Sequence, residues 1–341
     1  MNTGSLNYGI WEPQSLIHKL EAHKETIQQH EIPDAVFVPF RQRSMHVNSL
    51  LRELKDYKGP IFLMPSNNDD LIGIAWERTQ NVQLLYSDEH DYLAFFKSLT
   101  TSSEKYRIYN SPLWDLPIKR NYAIYFSKEK SYEKILLVDD DIRNINIDVL
   151  HRGCWCLDKY IISGCFVEDF PDTSIVGHVE LLLGINHQRF LSGSFLFVKP
   201  KNVIGFFPVI YNEDWLFMLP HIPHKSICSF GSIAQVSYDP FQNLERPKFQ
   251  EFGEIIVENL YGLTQKNDYG CRYDERVWAS AIESRRTYLQ TIRGLLSEPK
   301  HRGVIDAALE MNRLINPSIC KSFVEDWESD IIRWKSFLQV A

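Results

Sequence analysis

Cysteine is scarce in this sequence, and its scarcity limits the class of protein. Six cysteines among 341 residues are too few for a disulfide framework, which small secreted domains use in place of a large core. Cys154 and Cys156 form a C-x-C motif, but no second Cys or His pair follows at the spacing of zinc ligands. We therefore expect buried thiols and a reducing, cytoplasmic location.

Long apolar runs are also missing. The most apolar region, residues 195–220, is interrupted by four charged side chains, whereas a membrane-spanning helix needs about 20 consecutive apolar residues. Residues 1–16 lack the basic stretch and apolar run of a secretory signal. We expect no transmembrane segment and no secretory signal.

Basic residues are outnumbered, with 37 Lys and Arg against 44 Asp and Glu and a formal net charge of −7. Sequence-independent binding of nucleic acid rests on the neutralisation of phosphates, so this balance argues against it. The chain is 44% hydrophobic and 24% charged, which excludes a collagen, a coiled-coil rod and wholesale disorder. Its length suits one large α/β domain with an appendage, or two ordinary domains.

Short apolar strands alternate with helical stretches over the first 145 residues. This alternation predicts an α/β fold with a mostly parallel sheet flanked by helices, in which ligands gather outside the carboxyl ends of the strands. The predicted strands are 35–39, 61–64, 82–86 and 135–138, and the predicted helices are 11–31, 41–57 and 117–127. Polar clusters follow the four strands at Arg41, at Asn67 and Asn68, at Asp88, and at Asp139 to Asp141.

The residue pattern of the sequence changes twice further along the chain. Residues 150–245 are aromatic and strand-like, with 195–198 the clearest strand, and the remainder is helical. The helices are predicted at 249–262, 275–297, 303–315 and 320–339. We predict a catalytic domain at 1–245 and a helical C-terminal extension at 246–341, and within the domain a nucleotide-binding half at 33–145 and an acceptor half at 146–245.

The segment 134–143, KILLVDDDIR, is the sharpest feature. An apolar strand delivers three consecutive carboxylates, and because neighbouring side chains of a strand alternate, Asp139 and Asp141 project alike while Asp140 projects to the other side. Two oxygen ligands on one side suit Mg²⁺ or Mn²⁺. The alternative is a solvated acidic turn without a metal.

Three known families share this local pattern. Response-regulator receiver domains carry it on their first strand, and haloacid-dehalogenase-like phosphatases carry D-x-D with a Thr or Val where this chain has Arg143. The mid-chain position after about three strand–helix units resembles instead the D-x-D of nucleotide-sugar-dependent glycosyltransferases with the GT-A fold.

Two further stretches resemble the large inverting family of these enzymes. Arg120-Asn121 resembles the R-N helix before the D-x-D, and a cation there would lie near carboxylates and diphosphate. Residues 191–217 resemble the second half of the domain, with a Ser-Gly strand, a Gly-Phe corner and a Glu-Asp pair that opens a helix. These are Ser192-Gly193-Ser194, Gly205-Phe206 and Glu213-Asp214.

The resemblance, which covers about residues 33–220, implies a set of site residues. Asp214 is the implied general base with Glu213 beside it, although either carboxylate can simply cap the helix. The implied donor-binding residues are Pro39, Arg41, Asn67, Asp88, Arg120 and Asp140, and the implied metal ligands are Asp139, Asp141, His221 and His224. Trp114, Trp155, Tyr211 and Trp215 are candidate platforms for stacking sugar rings, with core packing as the alternative.

These residues imply a metal-dependent glycosyltransferase of the hexosyltransferase type. It would move a sugar from a nucleotide-diphosphate donor to an acceptor hydroxyl on a glycan or small molecule, with Mn²⁺ or Mg²⁺ as cofactor. Inversion is expected if Asp214 is the base, and retention is the alternative if Asp214 instead holds the acceptor. Two alternatives stay open: a nucleotidyltransferase or phosphohydrolase with the same acidic cluster, and a sugar- or nucleotide-binding module without catalysis.

The last helical segment carries an apolar stripe at three- and four-residue spacing. Core packing, a homo-oligomer contact and a peripheral membrane contact are its three interpretations, and the acidic residues among it disfavour anionic lipid. The stripe consists of Phe323, Trp327, Ile331, Trp334 and Leu338.

Overall fold

The computed structural model describes residues 13–20, 31–75, 81–111, 115–171, 173–185 and 190–340. In these ranges nine strands form one mixed sheet. The strands are β1 (His18–Lys19), β2 (Ala35–Pro39), β3 (Ile61–Met64), β4 (Val82–Leu84), β5 (Ile135–Val138), β6 (Ile142–Arg143), β7 (Ile162–Glu168), β8 (Phe195–Val198) and β9 (Ile227–Gln235).

The sheet runs in the order β1-β9-β7-β8-β5-β2-β3-β4, and β6 pairs with β9 outside this path. Only β8 and β6 are antiparallel to their neighbours, so the other seven strands point the same way. The predicted α/β class, a mostly parallel sheet with flanking helices, is confirmed.

Helices cover both faces of the sheet, which explains why its strands are continuous apolar runs. On β2, Ala35 and Phe37 belong to one hydrophobic cluster, while Val36 and Val38 belong to the other. The helices are α1 (Ser44–Glu53), α2 (His90–Ser98), α3 (Glu104–Arg107), α4 (Leu116–Glu129), α5 (Ile147–Lys159), α6 (Ile175–Leu182), α7 (Glu213–Met218), α8 (Glu251–Gln265), α9 (Glu275–Leu295), α10 (Pro299–Leu314) and α11 (Pro317–Val340).

The strand order creates a switch point beside β2. The chain passes from β2 to β3 and β4 on one side, and β5 returns on the other side of β2. A crevice opens at the carboxyl ends of strands where the order reverses in this way. The first two polar segments of interest, residues 40–43 and 139–141, therefore meet at this crevice.

Most of the predicted elements are confirmed, but two predictions are wrong. A helix was expected over 11–31, yet residues 13–16 form a 3-10 turn and residues 18–19 form β1, which pairs in parallel with β9; residues 21–30 lie outside the described ranges. The middle region was expected to be strand-like, which is right for β7, β8 and β9 and wrong for α5, α6 and α7. In α5 the apolar residues Leu150, Cys154 and Leu157 recur at helical spacing and are buried.

The apolar stripe of α11 packs into the core. Its members Phe323, Trp327 and Trp334 are at most 1% exposed and share one hydrophobic cluster with α4 and α8. The buried carboxylate of Asp330 accepts hydrogen bonds from the backbone N–H groups of Thr100 and Thr101 at 3.1 and 2.8 Å. Of the three interpretations of this stripe, the structure therefore supports core packing. No helix in the described ranges is long and apolar enough to cross a membrane.

Candidate active site

A cavity of about 610 Å³ opens at the carboxyl edge of the sheet. The segments that follow β2 and β5, the ends of β7 and β9, and the residues before the antiparallel β8 all reach its wall. Helix α8 closes the far side with Glu254 and Glu258. A cavity of this size fits a small-molecule ligand of several rings.

The three acidic residues after β5 do not continue the strand. β5 ends at Val138, and the N–H of Ile142 donates to the carbonyl of Asp139 at 3.2 Å, which closes a turn. The alternation of an extended strand therefore does not apply here, and the expectation that Asp139 and Asp141 project alike is wrong. Asp139 turns towards Arg120, whereas Asp140 and Asp141 both turn towards Arg43.

Arg120 joins the acidic turn to the second acidic pair of the site. Its Nη2 donates to both carboxylate oxygens of Asp139 at 2.9 Å, and its Nη1 donates to Oε1 of Glu213 at 2.8 Å. The side chain is 4% exposed. Burial alone lowers the pKa of this guanidinium, but the carboxylates of Asp139, Glu213 and Asp214 raise it overall, so Arg120 keeps its charge. Such charge-assisted bonds are strong and geometrically specific.

Arg43 provides the second counter-charge of the turn. Its Nη1 lies 2.8 Å from Oδ2 of Asp141 and 3.4 Å from Oδ1 of Asp140. Burial raises the pKa of Asp140 to about 7, and the other two carboxylates of the turn add to this, while Arg43 opposes it. A carboxyl group with a pKa of about 7 carries a proton in part of the molecules at neutral pH.

Asp214 stands at the start of α7 with both carboxylate oxygens oriented by backbone N–H groups. Gly193 donates to Oδ2 at 2.6 Å and Trp215 donates to Oδ1 at 2.9 Å. Burial raises the pKa of Asp214, and Arg120 and these two N–H groups oppose the shift. A raised pKa makes a carboxylate a stronger base.

Gly193, which lies in the turn before β8 and not in a strand as predicted, is required by close packing. A Cβ atom on Gly193 would lie 2.5 Å from Nη1 of Arg120 and 2.8 Å from Cβ of Asp214. Both contacts are closer than real Cβ atoms accept. The small residue therefore lets this turn, Arg120 and Asp214 meet at one point of the cavity wall.

Several of the remaining predicted residues also reach the cavity. Pro39, Arg41 and Asp140 line it, as do Glu213, Tyr211 and Trp215. Glu213 is buried beside Arg120, and burial raises its pKa well above the usual range, with Arg120 opposing and Asp214 adding to the shift. Trp155 lies 38% exposed on α5, and Trp114 lies outside the described residues.

Four predicted residues are not brought to the cavity wall. The side chain of Asn67 accepts a hydrogen bond from the N–H of Asp69 at 2.9 Å and caps a short 3-10 turn, and Asp88 is exposed beyond β4. His221 is fully buried, its Nε2 accepts from the N–H of Ile204 at 3.0 Å, and its Nδ1 lies 3.2 Å from Oγ of Ser226. His224 is exposed nearby. His221 is therefore a core histidine, and neither histidine lines the cavity with the carboxylates.

The structure adds residues that sequence reasoning missed. Buried Lys119 donates to the carbonyl of Phe40 and to Oγ of Ser66, at 2.9 and 2.7 Å, and anchors the segment after β2. The other additions are Arg43, Gln235, Gln250, Glu254 and Glu258. Glu254 and Glu258 could have been noticed in the sequence, because they are two carboxylates four residues apart in the predicted apolar helix 249–262.

The acidic turn holds some donors suited to a divalent cation, but not the predicted set. Among the described residues, no three His, Cys, Asp or Glu side chains form a group that could hold a metal ion. Two buried oxygens of the cavity wall, Oδ2 of Asp140 and Oε1 of Gln235, have no hydrogen-bond partner in the described part of the chain. Carboxylate and amide oxygens are hard donors. Asp140, Asp141 and Gln235, rather than Asp139 with a histidine, are the residues that fit.

No protein-family model matches this chain, and no curated protein matches it. Among solved structures it is similar to a protein of Desulfovibrio desulfuricans G20 described as a proposed nucleotide-diphospho-sugar transferase, with 8% identity, coverage of 76% of this chain and 97% of that one, and a TM-score of 0.35. It is also similar to mouse xyloside xylosyltransferase 1 in the apo form, with 11% identity, coverage of 50% and 68%, and a TM-score of 0.32. With identities and TM-scores this low, neither neighbour indicates what this chain does.

Proposed function

We propose that this protein is a metal-dependent glycosyltransferase of the hexosyltransferase type. It moves a sugar from a nucleotide-diphosphate donor to an acceptor hydroxyl, with inversion at the anomeric carbon. One observation carries the proposal: Arg120 bridges Asp139 and Glu213, so the acidic turn after β5 and the pair Glu213-Asp214 share one cavity wall.

The charges of the cavity support a donor that carries a diphosphate. Arg41, Arg43 and Arg120 line the wall beside the acidic turn, at the switch point of the sheet. When the bond from the anomeric carbon to the diphosphate breaks, its electron pair stays on the diphosphate. Guanidinium groups fixed at this place stabilise the negative charge as it develops.

A divalent cation bound by Asp140, Asp141 and Gln235 would supply further positive charge beside the leaving diphosphate. The two aspartates already share Arg43, and Nε2 of Gln235 lies 3.4 Å from Oδ2 of Asp141. Asp139 is not part of this proposed set of metal ligands, because both of its carboxylate oxygens accept hydrogen bonds from Arg120.

Asp214 is the proposed general base. Its carboxylate takes the proton of the acceptor hydroxyl while the oxygen of that hydroxyl bonds to the anomeric carbon. The hydrogen bonds from Gly193 and Trp215 fix the orientation of the carboxylate, and burial raises its pKa, which strengthens it as a base. Glu213 positions Arg120 and does not reach the acceptor in this scheme.

The test combines binding and turnover. We expect nucleoside diphosphates to bind more tightly with Mn²⁺ than without it, as measured by calorimetry, and a panel of nucleotide-sugars to yield transferred sugar. Asp214→Asn should keep this binding and lose turnover by about 10²- to 10⁴-fold, the usual contribution of a general base. Asp148→Asn, an exposed carboxylate on α5, is the matched control and should change neither.

Other outcomes would redirect the proposal. Absence of metal-dependent binding to every nucleoside diphosphate contradicts it, and unchanged turnover in Asp214→Asn removes this residue as the base. Release of phosphate or diphosphate without sugar transfer would favour a nucleotidyltransferase or phosphohydrolase. Tight binding with no turnover on any donor would favour a binding module.

A further inference from the structure

The far wall of the cavity carries a row of polar side chains on α8. Gln250, Glu254 and Glu258 all line the cavity and stand four residues apart, which places them on one face of the helix with about 6 Å between neighbours. The opposite face packs into the core through Phe252, Ile256 and other apolar residues. The helix is therefore amphipathic, with its polar face turned to the cavity and not to open solvent.

The carboxylates of this helix outnumber their cations. The guanidinium of Arg285 contacts Glu251 at 3.3 Å, Glu254 at 3.2 Å and Glu258 at 3.2 Å. No other ion pair reaches these three carboxyl groups in the described part of the chain, so a single guanidinium faces all three of them. Burying an unmatched charge is costly, and a structural link between α8 and α9 needs only one carboxylate.

Glu251 already supplies that structural link. Its carboxylate and the guanidinium of Arg285 are 0% and 1% exposed, and Nδ2 of Asn312 on α10 donates to it at 3.1 Å. Glu258 is different, since its side chain is 20% exposed and lines the cavity. Burial raises the pKa of Glu258 well above the usual range, and the charge of Arg285 only partly opposes this. A second cation at the cavity wall would stabilise the anionic form.

A separate observation on the same wall points to a bound ligand. Gln250 is 3% exposed, and its Oε1 accepts a hydrogen bond from the N–H of Ile175 at 3.0 Å, which fixes the orientation of its amide. The amide Nε2 is then a buried donor, and it has no partner among the described residues. A buried donor left in this state costs about 1–3 kcal/mol, so it fits a ligand oxygen.

We infer that the α8 wall binds the acceptor, and that the acceptor is a hydroxylated molecule with a protonated amine. This inference rests on the proposed function, because it assigns the acceptor of the same site. The ammonium group pairs with Glu258 and Glu254, and a hydroxyl or carbonyl oxygen accepts from Gln250. The aromatic rings of Trp215 and Phe249 also line the cavity, and aromatic rings suit a cation or a carbohydrate-like body.

The test uses matched sets of probes that differ at one position, where a charged amine is replaced by a neutral acetamide or by a hydroxyl. D-glucosamine, other amino sugars and amino alcohols are each compared with their N-acetyl derivative and with the parent polyol, by ligand-observed NMR and calorimetry in the presence of a nucleoside diphosphate and Mn²⁺. For at least one set we expect the amine to bind ten-fold or more tightly than both neutral partners. Failure of every amine to bind more tightly than its neutral partners overturns the inference.

Variants then locate the amine. Glu258→Gln should reduce the preference for the amine to less than about three-fold, and leave nucleotide binding unchanged. Glu254→Gln should weaken it in the same direction and serves as the second variant if Glu258→Gln does not fold. Glu283→Gln, which changes an exposed carboxylate on α9, should leave the preference intact. An amine preference that survives both cavity variants contradicts the assignment.

The two proposals fail in different ways. If nucleoside diphosphates bind and sugar is transferred equally well to neutral acceptors, the amine inference is wrong and the glycosyltransferase proposal stands. If amines bind and lose this binding in Glu258→Gln, but no nucleotide binds, the amine site stands and the proposed transfer is wrong.

Discussion

Gly193 allows the sharpest quantitative prediction, because the space for a single methyl group is missing at the centre of the site. In Gly193→Ala the new Cβ would lie 2.5 Å from Nη1 of Arg120 and 2.8 Å from Cβ of Asp214. Ordinary contact begins at 3.4 Å, so the gaps must grow by 3.4 − 2.5 = 0.9 Å and 3.4 − 2.8 = 0.6 Å.

Neither neighbour can move that far without losing contacts. Arg120 is buried and bonded to Asp139 and Glu213, and Asp214 is held by the N–H of Gly193 itself at 2.6 Å. Overpacking of this kind costs about 1–3 kcal/mol of the free energy of unfolding. If Asp214 is the proposed base, a shift of its carboxylate by about 1 Å costs on the order of 10²-fold in rate. We expect both effects in Gly193→Ala.

The assay pairs urea unfolding with the rate of sugar transfer, and nucleotide binding serves as a check on the donor half. Gly262→Ala on α8 is the matched control, because a Cβ there meets nothing within 4 Å, and Ala in a helix interior stabilises by up to about 1 kcal/mol. The reasoning is refuted if Gly193→Ala unfolds at the same urea concentration as the parent, or if it transfers sugar at the parental rate.

Two further predictions concern stability. The pKa of His221 is lowered by burial to about 3, from 6.5 in an exposed histidine, so below pH 6.5 the unfolded chain binds a proton that the folded chain refuses. The stabilising effect of the neutral ring is complete above pH 6.5 and is lost as the pH falls towards 3, by roughly 1.4 kcal/mol at one unit below 6.5. Urea unfolding of the parent and of His221→Gln between pH 7.5 and 5 checks this, and equal pH slopes would contradict it. Asp330→Ala leaves the buried N–H of Thr101 and the N–H of Thr100 without their acceptor, and should cost about 2–6 kcal/mol at 1–3 kcal/mol for each lost partner; Glu325→Ala, which changes an exposed side chain of the same helix, is the comparison, and a loss below 1 kcal/mol in Asp330→Ala would show that these two hydrogen bonds do not hold α11 in place.

The local order of the chain could be predicted from its sequence. Apolar runs such as 35–39 and 135–138 are strands because both of their faces are covered, and Leu116-Pro117 begins α4 where a proline suits the first helical turn. The helix predicted at 11–31 is wrong for the described residues, because residues 18–19 form a strand that pairs with β9. The local sequence pattern does not show this long-range pairing. Tertiary pairing overrides local preference in short segments.

The domain boundary predicted at residue 245 separates residues that meet in space. Helix α8 was assigned to a C-terminal extension, yet Gln250, Glu254 and Glu258 form the far wall of the cavity. Sequence distance conceals this, because more than a hundred residues separate Asp139 from Glu254. Their meeting depends on how α8 packs on the completed sheet.

The sequence by itself determined which residue types stand at the carboxyl ends of the strands, since each cluster follows directly from a strand that its own apolar pattern predicts. It thereby placed Asp139 and Asp140 at one edge of the sheet, whereas Asp214 was assigned to the site through the family resemblance. Only the tertiary structure decided their partners: Arg120 takes Asp139 and Glu213, Arg43 takes Asp140 and Asp141, and His221 turns into the core. The physical reason is that side-chain pairing depends on distances of a few ångströms between segments far apart in the chain, which no local pattern records.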